Sequence, residues 1–245
     1  MVSPLDVLKV RWQLSRHDTS LFSTLRHILE SHGWSGLFRG NAWGIALWMS
    51  YGAVQFPAYE MSKSHLGGET ILSRILSGSL AATVATTLTF PFDSIRTRRI
   101  STTGHNYSNI FRGLTPGLIS IAPMSGTTFA LYEQFEDLGM DKATSGFLSG
   151  VIARTIFFPL DTIKRRLMTQ GFEHIETKTA MLHYSGTLHC AKTMFREEGI
   201  RAFFKGISPS LVKTGLGSSV TFFVYETVVH LLNSKKKQEI IRYDD

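Results

Sequence analysis

The chain has 245 residues and a formal net charge of +7, with 18% charged and 43% hydrophobic residues. This basic excess favours an anionic partner such as nucleic acid, anionic lipid or an anionic solute. The single cysteine, Cys190, excludes an intrachain disulfide and a cysteine zinc cluster, and the first residues do not have the pattern of a secretory signal peptide.

Five long apolar stretches follow one another along the chain. A helix needs about 20 predominantly apolar residues to cross a membrane. The stretches are residues 40–59, 75–92, 113–132, 143–160 and 206–225. Only the last two contain a charged residue, Arg154 and Lys213 respectively. A soluble protein of this length would rarely need five such stretches, so the pattern favours a membrane protein over buried helices of a soluble core.

A short charged motif, P-x-D-x-x-[KR]-x-[KR], occurs three times, beginning at Pro4, Pro91 and Pro159. Three copies indicate an internal repeat. Proline removes a helical hydrogen bond and kinks a helix, so we expect kinks at these three prolines that bring the following charges together. A single copy would favour the alternative, a solvated pair within one helix.

A second motif, an aromatic residue followed by a base and a glycine, also occurs three times. Its copies are Phe38-Arg39-Gly40, Phe111-Arg112-Gly113 and Phe204-Lys205-Gly206. A Tyr-Glu pair follows each glycine at the same distance. The repeats are therefore expected at residues 1–66, 67–138 and 139–245, with amphipathic surface helices at residues 21–31 and 188–198.

These repeated motifs resemble those of the mitochondrial carrier family over nearly the whole chain. The resemblance implies an all-α membrane protein, a threefold pseudo-symmetric barrel of six transmembrane helices in the mitochondrial inner membrane. It implies a transporter and not an enzyme. Only three residues precede Pro4, so we expect the first helix to be largely missing, and the second repeat has a short segment between its motifs.

Four stretches resemble the members of the family that carry thiamine pyrophosphate. They are YGAVQF (51–56), GLTPGLISIAP (113–123), QGFEH (170–174) and KGISPSLVK (205–213). This resemblance implies import of thiamine pyrophosphate by alternating-access exchange, for a nucleotide or phosphate. The expected partners are thiamine pyrophosphate or a related anion and anionic lipid such as cardiolipin. We expect a monomer with no nucleic-acid partner, no cofactor and no metal.

The resemblance also implies a gate on the matrix side of the cavity, built from the charges of the proline motif. Its residues would be Asp6, Lys9, Gln13, Asp93, Arg96, Asp161 and Lys164. The expected ion pairs are Lys9–Asp93, Arg96–Asp161 and Lys164–Asp6. Gln13 would brace one pair, because its counterparts in the other repeats, Ile100 and Met168, are apolar.

A second gate, on the cytoplasmic side, is expected to be weak because only one copy of its motif is complete. Its residues would be Tyr59, Glu60, Lys63, Tyr132, Glu133, Tyr225 and Glu226. In the other two copies Glu136 and Val229 stand where the base is expected.

The resemblance also implies substrate-binding residues mid-span between the two gates. They are Trp48, Tyr51, Gln55, Ser120, Ile121, Arg154, Lys213 and Thr214. An ionisable side chain at membrane depth is a functional candidate by default, so Arg154 and Lys213 are expected to bind an anion. Trp48 and Tyr51 could stack on a heteroaromatic cation and Gln55 could bind its pyrimidine, although simple packing explains the neutral residues equally well.

Three alternative functions stay open at this point. The chain could carry another anionic cofactor or nucleotide, such as coenzyme A or ATP. It could also be a truncated carrier-like protein that does not transport, as the missing first helix suggests. A basic soluble protein that binds nucleic acid is a poor third, because its bases should form an exposed patch whereas here they flank apolar stretches.

Overall fold

A computed structural model of the chain describes residues 3–15, 20–66, 70–102, 109–172 and 183–214. This part of the chain contains helices and no strand. The α-helices are α1 (Ser3–Leu14), α2 (Leu21–His32), α3 (Asn41–Leu66), α4 (Ile71–Ser101), α5 (Leu114–Asp137), α6 (Lys142–Thr169) and α7 (Thr187–Glu198). Two 3₁₀ helices, Trp34–Phe38 and Ile200–Phe204, follow α2 and α7, and residues 207–214 are again helical.

Within the described part of the chain, four helices are long enough to cross a membrane. Helices α3 to α6 have 26, 31, 24 and 28 residues, and at about 1.5 Å per residue each exceeds the roughly 30 Å of a hydrocarbon core. In composition as well as length, Leu72–Ser101 and Lys142–Thr169 qualify as membrane spans among the described residues. The first four predicted stretches are thus confirmed as helices, while the fifth is described only as far as residue 214.

The prolines of the repeated motif occupy two different helical environments. Pro91 and Pro159 lie inside α4 and α6, which continue on both sides of them. Pro4 is the second residue of α1, so a kink there would involve residues outside the described part of the chain. Two further prolines, Pro57 in α3 and Pro123 in α5, also lie within helices and have no place in the repeated motif.

The three helices that carry the proline motif meet one another. Helix α1 contacts both α4 and α6, and α4 contacts α6. The remaining long helices pack around this centre, α3 on α4 and α5 on both α4 and α6. The charged ends of α1, α4 and α6 therefore lie close together.

The amphipathic helices α2 and α7 pack on the motif helices and confirm the two predicted surface helices. Helix α2 begins after Ser20, whose side chain accepts a hydrogen bond from the Ser23 amide, a common N-cap. Its buried Ile28 packs with apolar residues of α1. Helix α7 buries Cys190 and Met194 against α6. Burial of these apolar faces fixes the ends of α1 and α6.

Candidate functional site

Three ion pairs connect the motif helices in a closed ring, in which each motif acid meets the motif base of a different helix. They are Lys9–Asp161, Arg96–Asp6 and Lys164–Asp93, each with a nitrogen–oxygen distance of 2.7 Å. All six side chains are largely buried, so each charge is compensated by its partner and not by water. Breaking one buried pair leaves an uncompensated charge, which costs several kcal/mol.

The ring runs in the opposite direction from the one expected. We expected Lys9 to pair with Asp93, but Lys9 contacts Asp161. Arg96 contacts Asp6 and Lys164 contacts Asp93. The expected pairs Arg96–Asp161 and Lys164–Asp6 are therefore wrong as well. In a ring of three helices every base has a neighbour on each side. The spatial order of the helices decides between them, and the spacing of the motifs does not specify that order.

Two aromatic rings support the ring of ion pairs, and the sequence reasoning missed them. The Lys9 ammonium lies 5.1 Å from the ring centroid of Phe158, and that of Lys164 lies 5.3 Å from the centroid of Phe90. Cations are attracted to aromatic faces at this distance. Each aromatic residue directly precedes a motif proline, whereas Ser3 precedes the first one. That pattern was visible in the sequence.

Arg165 is a further base in the ring that the motif does not include. Its guanidinium donates to Asp93 Oδ1 at 3.2 Å and to the Thr97 hydroxyl, and its Nε lies 3.9 Å from Asp161 Oδ1. The equivalent positions in the other repeats are Val10 and Thr97. Because Arg165 departs from the repeat, a search for repeated residues overlooks it. The α4–α6 contact consequently has two basic side chains on one carboxylate.

Gln13 does not brace an ion pair in the described structure. Its amide nitrogen donates to the Thr162 hydroxyl at 2.7 Å, and that hydroxyl donates in turn to the Phe203 carbonyl. Thr162 is the neighbour of Asp161 in sequence but points to a different partner. The expectation that Gln13 braces an ion pair is therefore wrong. Gln13 instead connects α1 to α6 through Thr162.

The last base of each motif copy secures the helix ends below the ring. Arg11 Nε donates to the Ile100 carbonyl at 3.1 Å, and Arg98 Nε donates to the Met168 carbonyl at 2.9 Å. In the third copy Arg166 binds Glu198 of α7 through two nitrogens. A bidentate guanidinium–carboxylate pair holds both charges in a fixed geometry.

The three repeated glycines make these close approaches possible. Gly40, Gly113 and Gly206 all have positive φ, between 77° and 89°. A Cβ on Gly113 would lie 2.7 Å from the carbonyl oxygen of Lys164, and one on Gly206 would lie 3.2 Å from that of Lys9. Gly113 and Gly206 thus allow close approach of the backbone at Lys164 and at Lys9, two ring bases that belong to other repeats.

A cavity of about 260 Å³ opens directly above the ring. Its charged lining comprises six bases and two acids: Lys9, Arg96, Arg154, Lys164, Arg165, Lys213, Asp6 and Asp93. A second cavity of about 190 Å³ shares Arg154 and Lys164 with the first and adds the third acid, Asp161. Six bases against three acids leave a formal excess of three positive charges, so the lined space suits an anion.

The two mid-span bases both reach this space, and each has a defined partner. The Lys213 ammonium lies 2.6 Å from Asp6 Oδ1, on a carboxylate that also binds Arg96. Arg154 Nε donates to the Ser210 hydroxyl at 3.0 Å. Ser210 is buried and was not predicted as a site residue. The bond to Ser210 holds the Arg154 guanidinium between the two cavities.

The neutral candidates divide between cavity-lining residues and others. Trp48 and Tyr51 line the first cavity, with ring centroids 6.2 Å apart and planes at 70°. Ser120 and Ile121 line the second cavity. Neither described cavity includes Gln55 or Thr214, whose predicted roles receive no support from these contacts.

The residues expected at the opposite gate are not engaged with one another in the described structure. Glu60, Lys63 and Glu133 are exposed, and no ion pair of the described residues involves them. The Tyr132 hydroxyl donates to Glu136 Oε1 at 3.1 Å within α5, and Tyr59 is half-buried. Two further predicted members, Tyr225 and Glu226, lie outside the described residues.

Comparison with known proteins places the chain among transporters. A family profile described as mitochondrial carrier protein matches residues 1–70 and 139–236. A mitochondrial thiamine pyrophosphate carrier of Macaca fascicularis is 32% identical over 288 residues, covering 97% of this chain and 90% of the relative. The mitochondrial thiamine pyrophosphate carrier 1 of Aspergillus niger is 31% identical, covering 94% and 87%. A mitochondrial substrate carrier family protein P of Dictyostelium discoideum is 30% identical, covering 95% and 89%.

The repeated motifs, the helices of membrane-spanning length and these relatives agree on one conclusion. The matched profile covers well over half of the chain, and several relatives are at least 30% identical over nearly all of it. The chain belongs to the mitochondrial carrier family and is a multi-pass helical transporter of the mitochondrial inner membrane.

Proposed function

We propose that this carrier imports thiamine pyrophosphate into the mitochondrial matrix by alternating-access exchange for a nucleotide or phosphate. The observation that carries the proposal is the basic cavity above the ring, whose six bases exceed its three acids. Pyrophosphate is a compact, highly charged anion that binds well to several converging bases. The relatives named as thiamine pyrophosphate carriers support the same substrate.

Arg154 and Lys213 bind the pyrophosphate in this proposal. Both line the cavity, Arg154 from α6 and Lys213 from the helical residues 207–214. The thiazolium and pyrimidine rings of the substrate lie towards Trp48 and Tyr51, which line the same cavity. Trp48 is 62% exposed, so its face is available for stacking on a cation.

The ring of ion pairs acts as the matrix gate, and the three proposed repeats at residues 1–66, 67–138 and 139–245 each supply one acid and one base to it. In this proposal the closed gate corresponds to the state in which all three pairs are formed. On the cytoplasmic side Glu60 and Lys63 remain exposed. We expect Lys63→Ala to alter exchange kinetics, and unchanged kinetics would remove Lys63 from the cytoplasmic gate.

The test is uptake of labelled thiamine pyrophosphate into liposomes that contain the chain and are preloaded with the same compound. We expect uptake that Arg154→Ala or Lys213→Ala abolishes, with circular dichroism and membrane insertion as controls for folding. Absence of uptake in a preparation shown to be inserted contradicts the proposal. Unlabelled coenzyme A and ATP serve as competitors, and stronger inhibition by either one would identify a different anionic substrate.

A further inference from the structure

We propose that Lys213 is shared between the substrate anion and the gate acid Asp6, so that anion binding and gate closure compete for one ammonium group. This inference rests on the proposed passage of an anion through the cavity. It goes further by naming the contact through which the bound substrate weakens the gate.

Lys213 directly contacts the gate acid Asp6. Its ammonium lies 2.6 Å from Asp6 Oδ1, while Arg96 binds Asp6 Oδ2 at 2.7 Å. Each of the two carboxylate oxygens of Asp6 thus has its own cation. Lys213 belongs to the helical residues 207–214 and lies outside the repeated motif, so it adds to the ring a contact that the other repeats do not make.

Lys213 is also accessible from the cavity. Lys213 and Asp6 both line the cavity above the ring, and 26% of the Lys213 side chain is exposed against 13% for Asp6. Lys213 is therefore the more accessible of the two side chains to an anion in the cavity. Asp6 and the anion carry the same sign of charge, so one ammonium cannot bring both close together without repulsion between them.

Competition for Lys213 couples anion binding to the stability of the closed ring. A ligand shifts a conformational equilibrium only by its differential affinity for the two states. When the anion takes Lys213, Asp6 keeps Arg96 alone and the closed ring loses one of its contacts. By reciprocity, the Lys213–Asp6 contact weakens anion binding by the same factor. Removing the charge of Asp6 should therefore tighten anion binding.

The experiment is a double-mutant cycle with inorganic pyrophosphate as the probe, bound to the purified full chain. We expect Asp6→Asn to tighten pyrophosphate binding by about fivefold or more, the lower end of usual coupling energies. In a Lys213→Gln background the same change should have little effect. Asp93→Asn is the matched control, because Asp93 binds Lys164 and Arg165 and its effect should be the same with and without Lys213.

Equal effects of Asp6→Asn in both backgrounds would show a general field effect and overturn the inference, as would absence of saturable pyrophosphate binding. If Asp6→Asn does not fold, a second measurement replaces it. A cysteine reporter, Ser120→Cys with Cys190→Ala, is labelled from the matrix side with an impermeant thiol reagent. Saturating pyrophosphate should accelerate labelling when residue 213 is Lys or Arg and not when it is Gln; acceleration with Gln contradicts the inference.

The two proposals fail separately. Thiamine pyrophosphate exchange that persists without coupling between Asp6 and Lys213 would overturn only the shared-ammonium inference. Coupling seen with pyrophosphate, in a chain that does not exchange thiamine pyrophosphate, would overturn only the identity of the substrate.

Discussion

At the scale of single residues, two glycines with positive φ, one beside the ring and one in the turn between α5 and α6, have different surroundings. Gly113 and Gly139 have similar φ values of 89° and 81°. A Cβ on Gly139 would meet nothing within 4 Å, while one on Gly113 would lie 2.7 Å from the Lys164 carbonyl oxygen. Alanine substitutions at these two glycines therefore separate the cost of backbone strain, which both share, from the cost of a steric clash, which only Gly113 has.

We expect Gly113→Ala to destabilise the protein much more than Gly139→Ala. A left-handed residue other than glycine costs about 1–2 kcal/mol, and this cost applies to both variants. Overpacking adds about 1–3 kcal/mol at Gly113 only, because the obstacle is backbone and not a movable side chain. The unfolding midpoints of the two variants in detergent check this prediction. Equal midpoints would mean that the Lys164 carbonyl moves freely.

Cys190 provides a second prediction at this scale. Cys190 lies on the face of α7 that packs on α6, and this burial raises the pKa of its thiol to about 12, above its usual value. The neutral thiol therefore persists throughout the physiological range. At pH 8 only about one molecule in ten thousand would carry the reactive thiolate. We expect negligible alkylation of the folded protein at pH 8 and rapid alkylation after unfolding. Rapid alkylation before unfolding would show that α7 detaches readily.

At the scale of helices, the three contacts of the ring are unequal. Two bases of α6, Lys164 and Arg165, bind the single carboxylate of Asp93 on α4. Helices α1 and α6 share Lys9–Asp161 and the hydrogen bond from Gln13 to Thr162. The threefold repetition of the sequence is therefore broken within the ring of ion pairs.

We expect Arg165→Val, which introduces the residue found at the equivalent Val10, to loosen the α4–α6 contact. The Ser120→Cys reporter in a Cys190→Ala chain should be labelled from the matrix side several-fold faster, and Arg165→Lys should restore part of the protection. Arg26→Ala is a suitable control because the Arg26–Glu30 pair is exposed and contributes little. Labelling that is unchanged by Arg165→Val would exclude Arg165 from the gate.

Sequence alone predicted the elements better than their contacts. The absence of charge over residues 40–59 and 113–132 located α3 and α5, since a membrane helix must be long and apolar. The amphipathic spacing of residues 21–31 likewise located α2. Arg165 escaped prediction because it has no counterpart in the other repeats, and Ser210 escaped because its role depends on the position of Arg154.

At the scale of the whole molecule, the direction of the ring is the property that sequence could not supply. Its six paired charges are those of the three copies of one motif, whereas the predicted member Gln13 binds Thr162 instead. The partners of the six charges follow from the order in which α1, α4 and α6 surround the centre, and both directions satisfy the same spacings. Only the observed pairs, such as Lys9–Asp161, decide between the two directions.

A charge exchange tests this direction. We expect Lys9→Asp alone to abolish thiamine pyrophosphate exchange, because it places two acids together in a buried site. Adding Asp161→Lys should restore part of the exchange, since the pair is then reversed but intact. Adding Asp93→Lys, the partner expected from the sequence, should not restore it. Rescue by Asp93→Lys and not by Asp161→Lys would contradict the observed ring.

The doubled link at Asp93 has a consequence for the order of events during transport. Two bases of α6 hold α4 through Asp93, whereas one base connects α1 to α4 and one connects α1 to α6. The second base on Asp6, Lys213, belongs to neither α4 nor α6, and in the proposal above the bound anion removes it, so the contacts of α1 are expected to break first. We expect α1 to swing away while α4 and α6 remain joined as a hinge. The passage to the matrix would then widen on one flank before the other, and the departing solute would follow α1.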